Sequence, residues 1–351
     1  MMRYIGKRLL LMIPTLLGIL LLTFTVIQFV PGGPVEQMVS ELRGKGHGGQ
    51  EASGGGQSIY RGQQGIGPDR MREIKALYGF DKPAPERFWL MLRGFATFNL
   101  GNSFFHHESV WTLIKEKMPV SISIGLWTLV ITYLVSVPVG IFKAVHDGSR
   151  FDTLSSLVIL SGYAIPSFVL GVVLLVLFGG GSFLQWFPLR GLTSDNWAQL
   201  PLGAKVLDYL WHITLPVLAE VVGSFAVITM LTKNTFIEEI RKQYVLTARA
   251  KGLPERKVLY GHIFRNAMLP LLTGFPAAFI GAFFAGSLLI ETIFSLDGLG
   301  LLSYQAIMQR DYPVVMGTLY LFTLAGLFAK LISDVGYVLV DPRVKFEGVK
   351  R

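Results

Sequence analysis

Six long apolar runs constrain the fold of this chain more than any other feature. They cover residues 9–30, 120–142, 153–178, 211–232, 267–290 and 313–340. A helix needs about 20 apolar residues to cross the hydrocarbon core of a bilayer, and each run is long enough. The runs lack the alternating pattern of a membrane β-barrel. The sequence therefore predicts an all-α integral membrane protein with six transmembrane helices.

The amino-acid composition agrees with a membrane protein. Hydrophobic residues make up 51% of the 351-residue chain and charged residues only 16%, whereas a soluble domain carries about 25% charged residues. The first run follows Arg3, Lys7 and Arg8, as the apolar core of a signal peptide would. Its length of about 22 residues exceeds that core, so we expect it to remain as a spanning helix.

The positive charges predict an orientation. The segments 1–8, 143–152, 233–265 and 341–351 hold 17 of the 32 lysines and arginines, and the short segments 179–210 and 291–312 hold three. Because cytoplasmic loops carry the excess of positive charge, we expect both termini to be cytoplasmic. This topology accounts for the net charge of +9, and no nucleic-acid partner is needed to explain it.

The runs divide the chain into four regions. Residues 1–30 form an N-terminal transmembrane helix, and residues 31–119 form a long, partly helical periplasmic segment. Residues 120–340 form a core of five transmembrane helices, and residues 341–351 form a cytoplasmic tail.

The periplasmic segment itself has two parts. Residues 44–67 are rich in Gly, Gln and Ser, have almost nothing to bury and are expected to be mobile. Short helices with one apolar face are expected at 71–78, 85–98 and 111–118. Phe88 and Trp89 are candidates for a surface that docks a soluble partner. The alternative is a cap that only covers the outer helix ends.

The inner segment 233–265 is polar and basic, yet strongly patterned. Phe236, Ile240, Tyr244 and Thr247 recur at helical spacing and predict a first short helix. Gly252 is suited to the left-handed conformation that ends a helix, and proline is favoured in the first turn of the next. These features indicate a rigid docking element. A positive loop that only orients the protein and contacts anionic lipid is the alternative.

Polar residues inside the runs are candidates for a passage. Glu220 lies near the middle of the fourth run, where a carboxylate facing lipid is costly, so it should face a cavity or a hydrogen-bonding protein partner. Lys330 and Asp334 are one helical turn apart, which favours an intrahelical ion pair over a substrate site. Proline at positions 138, 166, 216 and 276 predicts bends in four of the runs.

No catalytic or metal-binding pattern accompanies these features. The sequence contains neither a nucleotide-binding Gly-x4-Gly-Lys-Ser/Thr motif nor a His-Glu-x-x-His zinc motif. The run His106-His107-Glu108 is better explained as a surface turn than as a metal site. No catalytic residue, metal or bound cofactor is therefore expected in this chain.

The ordered motifs support a family resemblance. The stretches 244–253 (Tyr-Val-Leu-Thr-Ala-Arg-Ala-Lys-Gly-Leu) and 262–270 (His-Ile-Phe-Arg-Asn-Ala-Met-Leu-Pro) resemble the coupling loop of ABC-importer permeases of the dipeptide, oligopeptide and nickel family. Of the general permease signature Glu-Ala-Ala-x3-Gly, only the second Ala and the Gly match, whereas the peptide-family form Thr-Ala-Arg-Ala-Lys-Gly matches in full. The long Gly-rich outer segment and the stretch Phe346-Glu-Gly348 are most similar to the corresponding parts of the B subunits in the Yej-type branch of this family. Further matching pieces are Pro31-Gly-Gly-Pro34, Gly162-Tyr-Ala-Ile-Pro-Ser167, Glu291-Thr-Ile-Phe294 and Arg310-Asp-Tyr-Pro313.

This resemblance implies a transport subunit of the bacterial inner membrane with no ATPase site of its own. Its partners would be a second homologous permease, cytosolic ATPase subunits that bind ATP and Mg, a periplasmic peptide-binding protein and the lipid bilayer. Oligopeptides or peptide-like compounds would move inward by alternating access. Glu220, Tyr163 and Ser167 are candidates for the translocation path. The candidate ATPase-coupling residues are Tyr244, Thr247, Ala248, Arg249, Ala250, Lys251, Gly252, Leu253, His262, Arg265 and Asn266.

A stand-alone secondary transporter is the main alternative. It would need no docking loop, and it would usually contain inverted repeats with discontinuous helices. No clear internal repeat is seen in the sequence.

Overall fold

The structure is a computed structural model that describes residues 2–29, 80–180, 183–284 and 287–340. Within these ranges the chain is helical and contains no strand. Four helices are long and apolar enough to cross a membrane, and the number rises to six if each of two bent helix pairs is one span. These observations confirm the all-α membrane class. The predicted Gly-rich stretch 44–67, the predicted helix 71–78 and the tail 341–351 lie outside the described residues.

Thirteen α-helices are described in these ranges. They are α1 (Met2–Phe29), α2 (Ala84–Ala96), α3 (Val110–Val145), α4 (Arg150–Tyr163), α5 (Ser167–Phe178), α6 (Leu202–Ile240), α7 (Gln243–Ala250), α8 (Glu255–Val258), α9 (Phe264–Ala267), α10 (Leu269–Phe284), α11 (Leu288–Ile293), α12 (Leu299–Gln309) and α13 (Tyr312–Val340). A 3₁₀ turn covers Trp197–Gln199, and a π-helical turn at Leu259–Ile263 joins α8 to α9.

Two helices are much longer than the apolar runs that predict them. Helix α6 has 39 residues, although its run covers only 211–232. Helix α3 has 36 residues and includes 111–118, which the sequence predicts as a separate short helix. Val110 and Ile114 are fully buried and hold this first part of α3 in place, and the helix continues through Pro119. Hydropathy alone detects only the apolar part of such a helix.

The third run is not a straight span. Helices α4 and α5 meet at 91°, with the break immediately before Pro166. Proline has no amide hydrogen to donate and disfavours a helical conformation in the residue before it, here Ile165. The bend expected at this proline is therefore confirmed, and it is sharp enough to separate two helices. The fifth run, 267–290, is not one continuous helix either, because α10 is described as far as Phe284 and Ser287 has an extended backbone conformation before α11.

The chain divides into two compact units, and the first contains residues 1–8, 117–301 and 324–351. In this unit the backbone of α3 comes close to two other helices. A Cβ atom at Gly140 would lie 2.6 Å from the Cβ of Thr232 in α6, and a Cβ at Gly125 would lie 2.0 Å from the carbonyl oxygen of Ala282 in α10. Only glycine allows such approaches, as is usual where membrane helices pack closely.

The second unit contains residues 9–116 and 302–323. The amphipathic helix α2 packs within it through aromatic side chains: Phe88 lies 5.1 Å from Phe24 of α1, and Phe95 lies 4.9 Å from Tyr320 of α13, measured between ring centroids. The Tyr320 hydroxyl also donates a 3.1 Å hydrogen bond to the carbonyl oxygen of Phe95. The helix predicted at 85–98 is thus present, over Ala84–Ala96.

The ion pair predicted between Lys330 and Asp334 is wrong. The Asp334 carboxylate lies 3.0 Å from the Arg8 guanidinium and accepts a 3.2 Å hydrogen bond from the Tyr4 hydroxyl. Among the described residues no ion pair joins Lys330 to Asp334. Arg8 provides a planar donor in addition to its charge, which an intrahelical lysine does not.

His106 and Glu108 are exposed in the turn that follows Ser103, as is His107, so the surface turn expected there is confirmed. In the described part of the chain no group of three His, Cys, Asp or Glu is arranged to hold a metal ion.

Candidate coupling surface and translocation cleft

The polar segment 233–265 begins inside α6 and continues through a series of short helices. The sequence predicts a first short helix that includes Phe236 and Ile240, but both belong to the last turns of α6. The new helix, α7, begins only at Gln243 after a turn at Arg241 and Lys242. Neither turn residue is Gly or Pro, so this earlier break has no local signal in the sequence.

The break at Gly252 is present as predicted. Gly252 has a φ of +75°, in the left-handed region. Its amide donates to the carbonyl oxygen of Arg249 (2.9 Å), and the Leu253 amide faces the carbonyl oxygen of Ala248 (3.4 Å). This pairing is the Schellman arrangement that satisfies the last carbonyls of a helix. Pro254 precedes the first residue of α8 as its N-cap, one position earlier than expected.

The segment has a hydrophobic core, which we call the coupling core. It joins the C-terminal ends of α3 and α6 to the short helices, because side chains from all of them are buried together. Its buried members are Ile141, Ala144, Phe236, Val245, Ala248, Val258, Ile263 and Ala267. A segment with such a core is held in one conformation, unlike a loop that is solvated on all sides.

Hydrogen bonds hold the polar side of the same segment. Glu239 at the end of α6 accepts a 2.7 Å hydrogen bond from the Tyr244 hydroxyl and pairs with Lys242. The amide nitrogen of Asn266 in α9 donates to the Tyr244 oxygen at 3.2 Å. Burial, followed by the hydrogen bond to Glu239, raises the pKa of the Tyr244 phenol above its ordinary value. The phenol therefore stays protonated and available as a donor.

An ion pair spans the break at Gly252. The Nε and Nη2 atoms of Arg249 lie 2.7 and 3.0 Å from the two carboxylate oxygens of Glu255. This two-point contact fixes the angle between α7 and α8, although an exposed pair stabilises a fold by only about 0–1 kcal/mol.

The eleven candidate coupling residues fall into two groups. Ala248 is buried, and Tyr244 and Leu253 are half-buried on the coupling core. The exposed members are Thr247, Arg249, Ala250, Lys251, Gly252, His262, Arg265 and Asn266. The first group shapes the segment, and the second forms a surface that other molecules can contact.

Two further residues of this surface are not predicted from the sequence. Leu246 is 50% exposed and Tyr260 is 57% exposed, and Tyr260 lines a surface depression together with Arg256 and Lys257. Exposed large apolar side chains beside charges are typical of contact surfaces. The exposed group, together with Leu246, Tyr260 and these two cations, is called the coupling surface below.

A second feature of the first unit is a cleft of about 430 Å³. We call it the cleft; it lies against α3, α6 and α10. Its wall includes Ser121, Thr128, Thr132, Glu220, Ser224, Ala282 and Glu291. Glu220 is partly buried, and no hydrogen bond joins its side chain to another described residue. The described lining contains two carboxylates and no lysine, arginine or histidine.

In the sequence, Glu291 is distinguished only as part of a family motif. Its side chain is fully buried and accepts hydrogen bonds from the Ser121 hydroxyl (3.0 Å) and from the Leu301 amide (2.7 Å). A carboxylate at the first turn of α12 is favoured by the free amides there. Glu291 thus joins α3, α11 and α12 at the edge of the cleft, a role that local sequence pattern does not reveal.

The other candidate path residues lie elsewhere. Tyr163 is the last residue of α4 and is 55% exposed, and Ser167 is the first residue of α5. Both flank the 91° bend, and neither lines the cleft.

The two candidate docking residues of the second unit have different environments. Phe88 packs on Phe24, whereas Trp89 is 67% exposed. Of the two, Trp89 is the side chain that a soluble partner could contact.

Comparisons with known proteins identify the family. Residues 136–346 match the model of a family described as "Binding-protein-dependent transport system inner membrane component". The chain belongs to this family. The matched residues contain the coupling surface and more than half of the residues that line the cleft, whereas the segment 31–119 lies entirely outside them.

Full-length relatives support the same assignment. The chain is 55% identical to the peptidoglycan transport system permease protein YejB of Agrobacterium fabrum, over 98% of both chains. It is 53% identical to the inner membrane ABC transporter permease protein YejB of Escherichia coli O157:H7, over 98% of this chain and 99% of the relative. Identity to the di/tripeptide transport system permease protein DppB of Pseudomonas aeruginosa is 31%, over 99% and 100% of the two chains. The resemblance to ABC-importer permeases and to their Yej-type branch is confirmed.

Proposed function

We propose that this chain is one of two permease subunits in an ATP-driven importer of peptides or peptide-like compounds. It would act in the bacterial cytoplasmic membrane as a multi-pass protein with both termini inside. A second homologous permease would complete the passage, cytosolic ATPase subunits would bind ATP and Mg, and a periplasmic binding protein would deliver the substrate.

The observation that carries this proposal is the coupling surface on its own buried core. A loop that only orients the protein needs positive charge, but it needs neither a hydrophobic core nor a Schellman turn. Here the coupling core, the Tyr244 hydrogen bonds and the Arg249–Glu255 pair all restrict the segment. A restricted segment can transmit a push from a soluble partner, whereas a solvated loop would absorb it.

The cleft supports a substrate with a positive group. Two carboxylates and several hydroxyls line it, and the described lining provides no cation to balance them. A free peptide carries an α-ammonium group whatever its sequence, and a carboxylate in a membrane interior is tolerable where it faces water or a partner. We assign Glu220 to contact with this group. The relatives named for peptidoglycan and for di/tripeptide transport agree with a peptide-containing substrate.

The transport cycle follows from these parts. Closure of the two ATPase domains around ATP would draw the docked coupling surfaces together, and the attached helices would then change which side of the membrane the cleft faces. The chain would break no covalent bond itself, since the sequence contains no nucleotide-binding motif.

Reconstitution provides the test. The chain is purified with the subunits that co-purify with it and placed in vesicles, and uptake of a labelled peptide is measured with and without ATP and the binding protein. ATP-dependent uptake that requires the binding protein supports the proposal. Uptake by this chain alone, driven by an ion gradient, would instead support a secondary transporter.

A further inference from the structure

A cluster of four charged side chains, three of them largely buried and the fourth 41% exposed, lies between the inner ends of three helices and has no role in the function proposed so far. Lys143 near the end of α3 is fully buried, Asp152 lies in the first turn of α4, and Lys233 lies near the end of α6. Asp147 in the turn between α3 and α4 completes the set. We call these four residues the inner charge cluster.

Asp152 is the centre of the cluster. Its carboxylate lies 3.1 Å from the Lys143 ammonium and 2.7 Å from the Lys233 ammonium, so one carboxylate joins α3 to α6. The amide of Gly148 also donates to it, at 3.1 Å. Lys233 contacts Asp147 as well, at 3.1 Å. Charges this deeply buried persist only when they are paired and hydrogen-bonded.

The Lys143 ammonium has hydrogen-bond partners that do not involve Lys233. Its ammonium donates to the carbonyl oxygen of Asp152 (2.8 Å) and to the hydroxyls of Ser155 (2.6 Å) and Ser156 (2.8 Å). These contacts hold α4 against α3. Lys233 provides a separate connection from α6, and its side chain remains 12% exposed. Arg241, which follows the last residue of α6, makes a longer contact of 3.7 Å with Asp147.

The position of the cluster suggests its role. Ile141 and Ala144 of α3, on either side of Lys143, belong to the coupling core, and so does Phe236, one turn after Lys233. Helix α4 contributes no member to the coupling core. The cluster is therefore a charged connection between the elements that carry the coupling surface and the helix pair α4–α5.

We propose that Lys233, through Asp152 and Asp147, is a positioning residue that makes α4 and α5 move together with the coupling surface during transport. This inference rests on the proposed function. Without Lys233, the ATPase subunits would still dock and hydrolyse ATP, but less of their movement would reach α4 and α5.

The test compares Lys233→Met with Lys233→Arg in the complete transporter complex. Methionine keeps the length of the side chain and removes its charge, and arginine keeps the charge. Lys82→Met is the matched control, because it removes a lysine from the exposed pair with Glu86 (3.4 Å), outside the cluster. ATP hydrolysis and peptide uptake are measured in the same vesicles and expressed per assembled complex.

We expect Lys233→Met to lower the peptide taken up per ATP hydrolysed by about fivefold or more, the lower end of typical coupling between sites. Lys233→Arg and Lys82→Met should keep the wild-type ratio. A purely structural role would lower both activities together, in proportion to the loss of assembled complex. An unchanged ratio in Lys233→Met would overturn the proposal.

A second measurement does not depend on the substrate. The chain has no cysteine, so spin labels can be placed on cysteines introduced at the exposed positions Arg150 in α4 and Gln243 at the start of α7, neither of which belongs to the coupling surface. In the complex, the distance distribution between the labels should be narrow for wild type and Lys233→Arg, and broad for Lys233→Met. Equal distributions would overturn the proposal even if transport were altered, whereas failure of wild-type uptake would count only against the proposed function.

Discussion

The turn at Gly252 offers the most direct test of the coupling surface. A Cβ added at this position would meet no other atom within 4 Å, so the first atom of a side chain does not clash with its surroundings. The only obstacle is the backbone, whose φ of +75° is unfavourable for other residues. The left-handed conformation costs about 1–2 kcal/mol for ordinary L-residues, and β-branched residues tolerate it least. Asn tolerates it better than most.

The substitutions Gly252→Asn, Gly252→Ala and Gly252→Val should therefore form a graded series. A cost of 1–2 kcal/mol lowers the ratio of correctly turned to opened segment by about 5–30-fold. We expect near-normal uptake for the Asn variant, an intermediate loss for the Ala variant and the greatest loss for the Val variant. All three should insert and assemble normally, since the turn is exposed and a Cβ atom at position 252 would contact no other atom.

The assay is substrate-stimulated ATP hydrolysis and peptide uptake in vesicles, both normalised to assembled complex. The ranking separates conformation from size. If Asn, which is about as large as Val, were as damaging as Val, the loss would come from the side chain and not from φ. Wild-type transport by the Val variant would refute the role of this turn altogether.

Three further predictions follow from other parts of the structure. Glu220→Gln should reduce uptake of peptides with a free amino end more than uptake of N-acetylated ones, and equal effects in a competition assay would leave only a packing role. Trp89→Ala should weaken binding-protein-dependent uptake without lowering thermal stability, whereas Phe88→Ala should lower the melting temperature, because Phe88 packs on another ring. Calorimetry and uptake measurements that show the reverse pattern would contradict these different roles. Burial raises the pKa of the Asp311 carboxyl above its ordinary value of 3.8. The folded state therefore binds the carboxyl proton more tightly than the unfolded state does, and stability is lost as pH rises from about 4 through the raised pKa. Asp311→Asn should flatten that part of a plot of melting temperature against pH, and an unchanged plot would argue against it.

The sequence predicts the all-α membrane class because bilayer thickness sets the length of an apolar run, and the predicted number of six spans holds if each of the two bent helix pairs is one span. It does not predict the ends of the helices, since α3 and α6 continue into polar sequence that hydropathy does not register. The bend before Pro166 is an intermediate case. Proline marks its position, but the 91° angle depends on packing.

The features around the coupling surface also differ in how far the sequence predicts them. The left-handed turn at Gly252 can be predicted because it depends on local backbone sterics. The pair of Lys233 with Asp152 joins residues 81 positions apart, and Tyr244 with Asn266 joins residues 22 positions apart. Neither pair has a local pattern. The wrongly predicted Lys330–Asp334 pair shows the same limit, since the distant Arg8 is the actual partner of Asp334.

The length of α6 connects the two candidate sites physically. Glu220 on the wall of the cleft and Phe236 in the coupling core belong to this one helix, sixteen residues apart. At 1.5 Å per residue they are separated by about 24 Å along the axis. The proline inside α6, Pro216, lies before Glu220, so the stretch between the two sites contains no proline. In α3 the corresponding stretch, from Thr132 to Ile141, contains Pro138. A push on the coupling core should therefore tilt the cleft wall formed by α6 as a rigid lever, while α3 can bend at Pro138.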